Sequence, residues 1–113
     1  MTLTQLDAFA LTLLIEATVA AGLGRALKLD PVQCALAAMA GSAATHPTLW
    51  AIYHPAQDYL GAHTIPILEL AIMAVETLPY RALATKRWLL AALLSGVANG
   101  ASWGIGEIIY ALA

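Results

Sequence analysis

The stretch WLLAALLSGVANGASWGIG, residues 88–106, runs for nineteen positions without an Asp, Glu, Lys or Arg. A helix needs about 20 mostly apolar residues to cross the hydrocarbon core of a bilayer. The stretch PVQCALAAMAGSAATHPTLWAIY, residues 31–53, is equally free of charged side chains and slightly longer. These two stretches predict transmembrane helices and therefore an all-α integral membrane protein.

Two further stretches of suitable length carry acidic residues. One covers residues 4–27 and contains Glu16, and the other covers residues 64–81 and contains Glu69 and Glu76. The sequence therefore predicts a single domain, residues 1–113, with four transmembrane helices arranged as two helical hairpins. The predicted spans cover about residues 4–27, 31–53, 64–81 and 88–110.

Proline positions indicate where two of these helices begin. Asp30-Pro31 and Thr64-Ile65-Pro66 each place a proline in the first turn of a predicted helix, where the missing N–H costs nothing. Residues 54–63, HPAQDYLGAH, are predicted to form the longest polar connection, because a proline and a glycine interrupt them.

Composition supports a membrane protein and excludes several other classes. Of 113 residues, 61% are hydrophobic and 11% are charged, with a mean hydropathy of +0.78, whereas soluble domains are about 25% charged. The alternative is an unusually apolar soluble helical bundle. A net charge of −2 with five Lys and Arg residues argues against nucleic-acid binding. The one cysteine, Cys34, excludes a disulfide framework and is expected to be a small core residue.

The sequence carries no motif of an enzyme active site. It has no Gly-x-Ser-x-Gly, no His-Glu-x-x-His, no P-loop and no Cys-x-x-Cys pair. We therefore predict no catalytic residue and no enzymatic activity, with an intramembrane acid–base enzyme built on Glu16, Glu76 and His46 as the alternative. The sequence leaves any cofactor unknown.

The basic residues predict the orientation in the membrane. They lie in the first and third predicted connections: Arg25, Lys28, Arg81, Lys86 and Arg87. By the positive-inside rule, both connections are cytoplasmic and both termini lie outside the cell (inner) membrane, on the periplasmic side. Because the first residues include no basic side chain, the first span is expected to be retained and not cleaved. Tyr80 and Trp88 are expected in the aromatic belt at the inner interface.

The two halves of the chain show a weak internal repeat. An offset of 54 residues aligns small and polar residues of the second span with those of the fourth: Gly41, Thr45 and Thr48 with Ser95, Asn99 and Ser102. Glu16 aligns with Glu76 when the connection in the second half is taken as shorter. The repeat suits a parallel duplication about an axis along the membrane normal, a device of several transporters. A plain four-helix bundle fits equally well.

Three glutamates within the predicted spans are candidate site residues. A charged side chain in hydrocarbon costs about 2.5–3.5 kcal/mol on insertion scales, so such residues usually face the bundle interior and mark function. Glu16 and Glu76 are predicted near the midplane, and Glu69 lies on the same face as Glu76 but nearer the outside. His46 is a candidate hydrogen-bond or proton partner of Glu69. The alternative is a structural carboxyl that binds a neighbouring helix.

The predicted fourth helix carries two neighbouring stripes. Small residues recur every four positions and predict a face that another helix can approach closely: Ala92, Gly96, Gly100 and Gly104. Beside them, Ser95, Asn99 and Ser102 form a polar seam. Asn99 is expected to hold helices together and to orient the carboxylate of Glu16 or Glu76.

Three histidines raise the question of a metal site. His46, His54 and His63 are predicted near the outer side, together with Asp58. Imidazole and carboxylate groups bind Zn, Ni or Cu, but these spacings match no compact metal motif. We therefore predict no metal ligand, with a metal or haem site as the alternative.

Two functions are consistent with these features. The slightly favoured one is a non-catalytic subunit, surrounded by membrane lipid, that packs into a homo-oligomer or with other membrane subunits through the small-residue stripe. Partner helices would then shield the carboxyls that four short helices leave poorly covered. The alternative is a small proton- or cation-coupled transporter or channel. In it Glu16 and Glu76 form the midplane site, Glu69 and His46 line the outer approach, and Asn99 orients a carboxylate.

Overall fold

The computed structural model describes residues 4–112, and within that range the chain forms helices and no β-strand. The helices are α1 (Gln5–Ala26), α2 (Pro31–Leu60), α3 (Thr64–Leu83) and α4 (Trp88–Leu112). A single 3-10 turn, Gly61–His63, joins α2 to α3. The predicted all-α fold class is confirmed.

Local sequence explains where the helices begin. The carboxylate of Asp30 accepts hydrogen bonds from the backbone N–H groups of Val32, at 2.9 Å, and Gln33, at 3.3 Å, which caps the first turn of α2. Thr4 and Asp7 cap the start of α1 with reciprocal side-chain to backbone hydrogen bonds. Because these caps satisfy N–H groups that have no partner within the helix, the starts of α1 and α2 are well defined.

The predicted polar connection at residues 54–63 is wrong for most of its length. Residues 54–60 continue α2, and only the 3-10 turn separates that helix from α3. Pro47 and Pro55 both lie inside α2. Each proline removes one backbone hydrogen bond without necessarily ending a helix, so proline was a poor marker of a loop here.

Among the described residues, three helical segments are long and apolar enough to cross a membrane: Gln5–Ala26, the continuous run Pro31–Leu83, and Trp88–Leu112. The middle run has 53 residues and would measure about 80 Å as a straight helix. The longest dimension of the whole molecule is 41 Å, so the run folds back on itself. It turns at Gly61, whose φ of 56° falls in the left-handed region that glycine adopts readily.

The four helices of the described range form a ring in which each helix packs against two others. α1 and α3 both contact α2 and α4. The C-terminal ends of α1 and α3 meet the N-terminal ends of α2 and α4, and we call this end of the bundle the basic end. It carries the five basic residues, Arg25, Lys28, Arg81, Lys86 and Arg87. We call the other end of the bundle, where α2 ends and α3 begins, the opposite end.

A cluster of buried residues fills the bundle near the basic end, and we call it the basic-end core. Its members are Ala20, Cys34, Ala37, Ala38, Tyr80, Ala91 and Leu94. The expectation that Cys34 is a small core residue is confirmed. The expectation that Tyr80 lies at the membrane interface is wrong, because its side chain is 0% exposed. Tyr80 follows Glu76 by four residues and therefore shares the inward face of α3.

The exterior of the bundle is more apolar than its interior. Large hydrophobic side chains point outward, including Leu14, Leu70 and Leu89. The interior holds mainly small and polar residues from all four helices, together with a few larger side chains such as Leu94 and Tyr80. Such a distribution suits a molecule whose solvent is lipid, where polar groups gain by turning inward.

Candidate functional site

Glu16 and Glu76 meet at the centre of the bundle, and we call them the glutamate pair. Glu16 belongs to α1 and is 1% exposed, and Glu76 belongs to α3 and is 0% exposed. These two helices lie diagonally across the ring, yet their carboxyl groups are close enough to interact electrostatically. The sequence placed both side chains in the interior, and the structure brings them together.

Two serines hold the Glu16 carboxylate. Ser42 Oγ of α2 donates to Oε1 at 2.5 Å, and Ser102 Oγ of α4 donates to Oε2 at 2.7 Å. Each carboxylate oxygen of Glu16 therefore accepts a hydrogen bond from a different neighbouring helix. Glu16 therefore links α1 to both neighbouring helices.

Glu76 is held less completely. Thr45 Oγ1 of α2 donates to Oε2 at 2.8 Å, while Oε1 is buried and has no hydrogen-bond donor among residues 4–112. Gly41 provides the space for this side chain. A Cβ atom added at Gly41 would lie 3.0 Å from both Cγ and Oε1 of Glu76.

The polar seam of α4 is buried beside the glutamate pair. Asn99 is 2% exposed and its Nδ2 donates to the carbonyl oxygen of Ser95 at 2.9 Å. Ser95 Oγ in turn donates to the carbonyl oxygen of Met73 on α3, at 2.6 Å. Asn99 also lies beside the Glu76 carboxyl. The direct bond between α4 and the α3 backbone thus comes from Ser95, whereas Asn99 borders the carboxyl it was predicted to orient.

Glu69 and His46 lie outside this centre. Glu69 is half-buried, although it is close enough to Glu16 and Glu76 to act on them electrostatically. The imidazole of His46 packs against Phe9 and Trp50, with ring centroids 5.5 and 6.0 Å away. His46 Nδ1 has no hydrogen-bond partner within residues 4–112. The structure therefore does not form the hydrogen bond predicted between His46 and Glu69, because α2 turns the imidazole toward α1.

The histidines do not converge on one site. His54 and His63 are exposed, whereas His46 is half-buried among aromatic rings. Within the described part of the chain, no three His, Cys, Asp or Glu residues lie close enough together to hold a metal ion.

The small-residue stripe of α4 faces away from the bundle, and we call it the glycine stripe: Ala92, Gly96, Gly100 and Gly104. No described atom outside the local backbone lies within 4 Å of a Cβ added at any of its three glycines. The buried face of α4 is instead formed by Ala91, Leu94, Ser95, Ala98 and Asn99. The stripe is therefore not used to pack the four helices of this chain against one another.

Sequence reasoning omitted several residues from the candidate site. Ser42 lies three positions before Thr45 on α2, so helical spacing already placed the two on one face. Tyr80 lies four positions after Glu76 on α3, a spacing that also places two residues on one face. The sequence does contain a signal for both residues. Each lies one helical turn from a candidate polar residue, Thr45 or Glu76, and residues one turn apart share a face of the helix.

No family model, no curated protein and no solved structure matches the chain. The function of the site therefore has to be argued from its own chemistry. The site offers carboxylate, hydroxyl and amide groups in an apolar bundle, without a described metal-binding cluster. Such groups bind protons and hard cations, which favour oxygen ligands.

Proposed function

We propose that this chain is a small membrane protein that binds and carries a proton, or a small cation, on the glutamate pair. The observation that carries the proposal is the burial of two interacting carboxyls, Glu16 and Glu76, where all four helices meet. An ionisable residue within a membrane-spanning helix is by default a functional residue, and here two of them face each other.

Charge repulsion explains why the pair would bind a cation. Two ionised carboxylates in contact repel each other strongly in a medium of low dielectric constant. The repulsion is relieved when the pair shares a proton, as in aspartic proteases, or when a cation lies between the two groups. A site that needs one positive charge can take it up and release it, which is the basis of transport.

Hydroxyl groups surround the carboxyls and suit a site that gains and loses protons. Ser42, Thr45 and Ser102 each lie within hydrogen-bonding distance of a carboxyl oxygen. A hydroxyl can donate to an ionised carboxylate and can accept from a protonated carboxyl, so the same groups can pair with the site in both protonation states.

We further propose that the chain crosses the membrane four times, as two equivalent hairpins. Two crevices support this arrangement. One, of about 220 Å³, lies between α2 and α3, and the other, of about 100 Å³, lies between α4 and α1. Thr45, which binds Glu76, lines the first crevice, and Ser102, which binds Glu16, lines the second.

The crevices are lined at equivalent positions of the two halves. The offset of 60 residues that separates Glu16 from Glu76 also relates the lining of α1 to that of α3. The residues are Ala8, Leu11, Thr12 and Ile15 in one crevice and Leu68, Ala71, Ile72 and Val75 in the other. The offset of 54 relates Thr48 and Ile52 of α2 to Ser102 and Gly106 of α4. These matches support the proposal of two equivalent hairpins.

The orientation remains as the basic residues predict it. We propose that the basic end faces the cytoplasm and that both termini face outward across the cell (inner) membrane. The crevices then belong to the outer half of the molecule, since their lining lies toward the opposite end.

Proton flux through reconstituted protein tests the proposed function. The purified protein is reconstituted into liposomes that contain a pH-sensitive dye. When a potassium diffusion potential drives protons across the membrane, the dye should report a change in the pH of the lumen. Glu16→Gln and Glu76→Gln should each reduce this flux to that of empty liposomes. The matched control is Glu107→Gln, because Glu107 is an exposed glutamate of α4 and its replacement should leave the flux unchanged.

Two results would overturn the proposal. The first is wild-type protein that moves neither protons nor, under a sodium or potassium gradient, those cations. The second is full flux in both glutamine variants. Monodisperse elution of each variant from a sizing column ensures that lost flux reflects the site and not lost folding.

A second candidate function is that of a subunit in a homo-oligomer or larger membrane complex. The observation in its favour is the outward-facing glycine stripe, which no part of the described chain covers. Small residues at regular four-residue spacing allow close backbone approach between membrane helices. The sequence also suggested that partner helices are needed to shield the carboxyls. The structure weakens that argument, because the bundle itself buries Glu16 and Glu76.

Native mass spectrometry of gently extracted protein tests the subunit function. If the stripe is the contact, Gly100→Leu should reduce the mass to that of a single chain of 11.8 kDa. Gly22→Leu is the matched control, because Gly22 is an exposed glycine of α1 with nothing within 4 Å of an added Cβ. An unchanged assembly in Gly100→Leu would count against the stripe as the contact.

A further inference from the structure

Tyr80 lies between the glutamate pair and the basic end. It follows Glu76 by one helical turn on α3, so the two side chains share a face. Side chains of a helix lean toward its N-terminus, which directs the Tyr80 hydroxyl back toward the pair. That hydroxyl is within electrostatic range of both Glu16 and Glu76.

The Tyr80 hydroxyl is a fully buried polar group without a partner. The residue is 0% exposed, and its oxygen makes no hydrogen bond within residues 4–112. Buried hydroxyls are nearly always hydrogen-bonded, because an unpaired one has lost its water without compensation. A phenylalanine would fill the same space at no such cost, so the hydroxyl calls for an explanation other than packing.

The glutamate pair is more accessible from the opposite end of the bundle than from the basic end. Toward the opposite end, one crevice reaches Thr45, which binds Glu76, and the other reaches Ser102, which binds Glu16. Toward the basic end, the basic-end core fills the interior. The repeat counterpart of Tyr80, at the offset of 60 residues, is Ala20, which is also fully buried in that core. One tyrosine ring thus occupies the space that its small counterpart leaves.

We infer that Tyr80 is the gate between the glutamate pair and the basic end. Its ring closes the bundle, and its hydroxyl passes a proton between the basic end and the pair. In this step the ring moves aside and a hydronium ion entering from the basic end gives a proton to the Tyr80 oxygen and becomes water. As that proton arrives, the original Tyr80 O–H bond breaks and its proton moves to an oxygen of the Glu76 carboxylate. Tyr80 ends neutral, and one proton has moved. The inference rests on the proposed proton-carrying function.

The cysteine of the basic-end core reports on the closure. Cys34 is 0% exposed, so a thiol reagent should label it slowly in the folded wild-type protein. Tyr80→Ala should increase the labelling rate about tenfold or more, because thiol reactivity requires access. Leu78→Ala, at an outward-facing leucine of the same helix, is the matched control and should leave the rate unchanged. Cys34→Ser provides the blank.

A conservative variant separates the hydroxyl from the ring. Tyr80→Phe should keep Cys34 as protected as in the wild type, because the ring stays in place. Its proton flux should fall about 100-fold, the order contributed by a positioned proton-transfer group. Leu78→Ala should retain wild-type flux.

The outcomes distinguish this inference from the proposed function. Full flux in Tyr80→Phe would overturn the relay, and unchanged Cys34 labelling in Tyr80→Ala would overturn the closure. If Glu16→Gln and Glu76→Gln also retain full flux, the proposed function itself fails. Loss of flux in the glutamine variants with full flux in Tyr80→Phe would leave the function standing and reject the gate alone.

Discussion

The two faces of α4 have similar small residues and opposite surroundings. One face carries Ser95, Asn99 and Ser102, which hydrogen-bond within the bundle and to the other helices. The other face is the glycine stripe, against which nothing in the described chain packs. Both faces would allow close helix packing by residue size alone, yet only the polar face lies inside the bundle.

The difference shows which property orients a helix when the exterior is lipid. Apolar side chains gain little by leaving lipid, whereas a hydroxyl or amide without a partner is costly there. The polar face therefore turns inward, where carboxylates and backbone carbonyls are available as acceptors. Glycines need no hydrogen-bond partner for a side chain, so the stripe is free to face outward.

The largest expected difference between the polar interior of the bundle, which includes Gly41 of α2, and the outward-facing glycine stripe comes from introducing a leucine. In Gly41→Leu the new side chain must enter space already held by Glu76, so we expect a loss of more than about 3 kcal/mol in the free energy of unfolding. In Gly100→Leu the new side chain meets open space, and the folded chain should be retained. Reversible unfolding in mixed detergent micelles measures both, and equal stability of the two variants would refute the close packing at Gly41.

A smaller effect is expected when single hydroxyls are removed. Thr45→Val deletes the donor to Glu76 Oε2 and leaves a buried carboxylate oxygen unpaired, which should cost about 1–3 kcal/mol. Thr48→Val is the matched control, because Thr48 is exposed and donates only to the carbonyl of Ala44 in its own helix. Both variants are compared in the same unfolding assay. Equal losses would mean that the contact with Glu76 contributes nothing.

The smallest effect is expected on the glycine stripe. Gly96→Ala should leave the fold intact and stabilise the monomer by about 0.5–1 kcal/mol, because alanine loses less conformational freedom than glycine in a helix. A dilute detergent sample, in which assembly is absent, isolates this effect. Destabilisation of the monomer would show that the stripe packs within the chain after all.

Much of the fold was predictable because helices in lipid leave a strong signal in sequence. The uncharged stretches around α2 and α4 and the Asp30-Pro31 cap indicated helices that the structure contains. The end of α2 was not predictable in this way. Pro55 was read as a break, but a helix can continue through a proline when the lost hydrogen bond is tolerated.

The candidate site was predictable in part. Glu16 and Glu76 stood out as carboxyls in apolar stretches, because their cost in lipid makes them conspicuous. Their pairing depended on which helices lie diagonally across the ring, which sequence alone does not reveal. The sequence predicts Tyr80 at the membrane interface and not in the core, since an amphipathic ring near a helix end suits both places.

The central claim is that Glu16 and Glu76 form a single site, and a double-mutant cycle tests it most directly. The free energy of unfolding is measured for the wild type, Glu16→Gln, Glu76→Gln and the double variant. Because the two groups are buried and interact electrostatically, we predict a coupling energy of about 1–3 kcal/mol, whereas distant groups are additive within about 0.5 kcal/mol. Additive effects would contradict the claim and show that the two glutamates act independently.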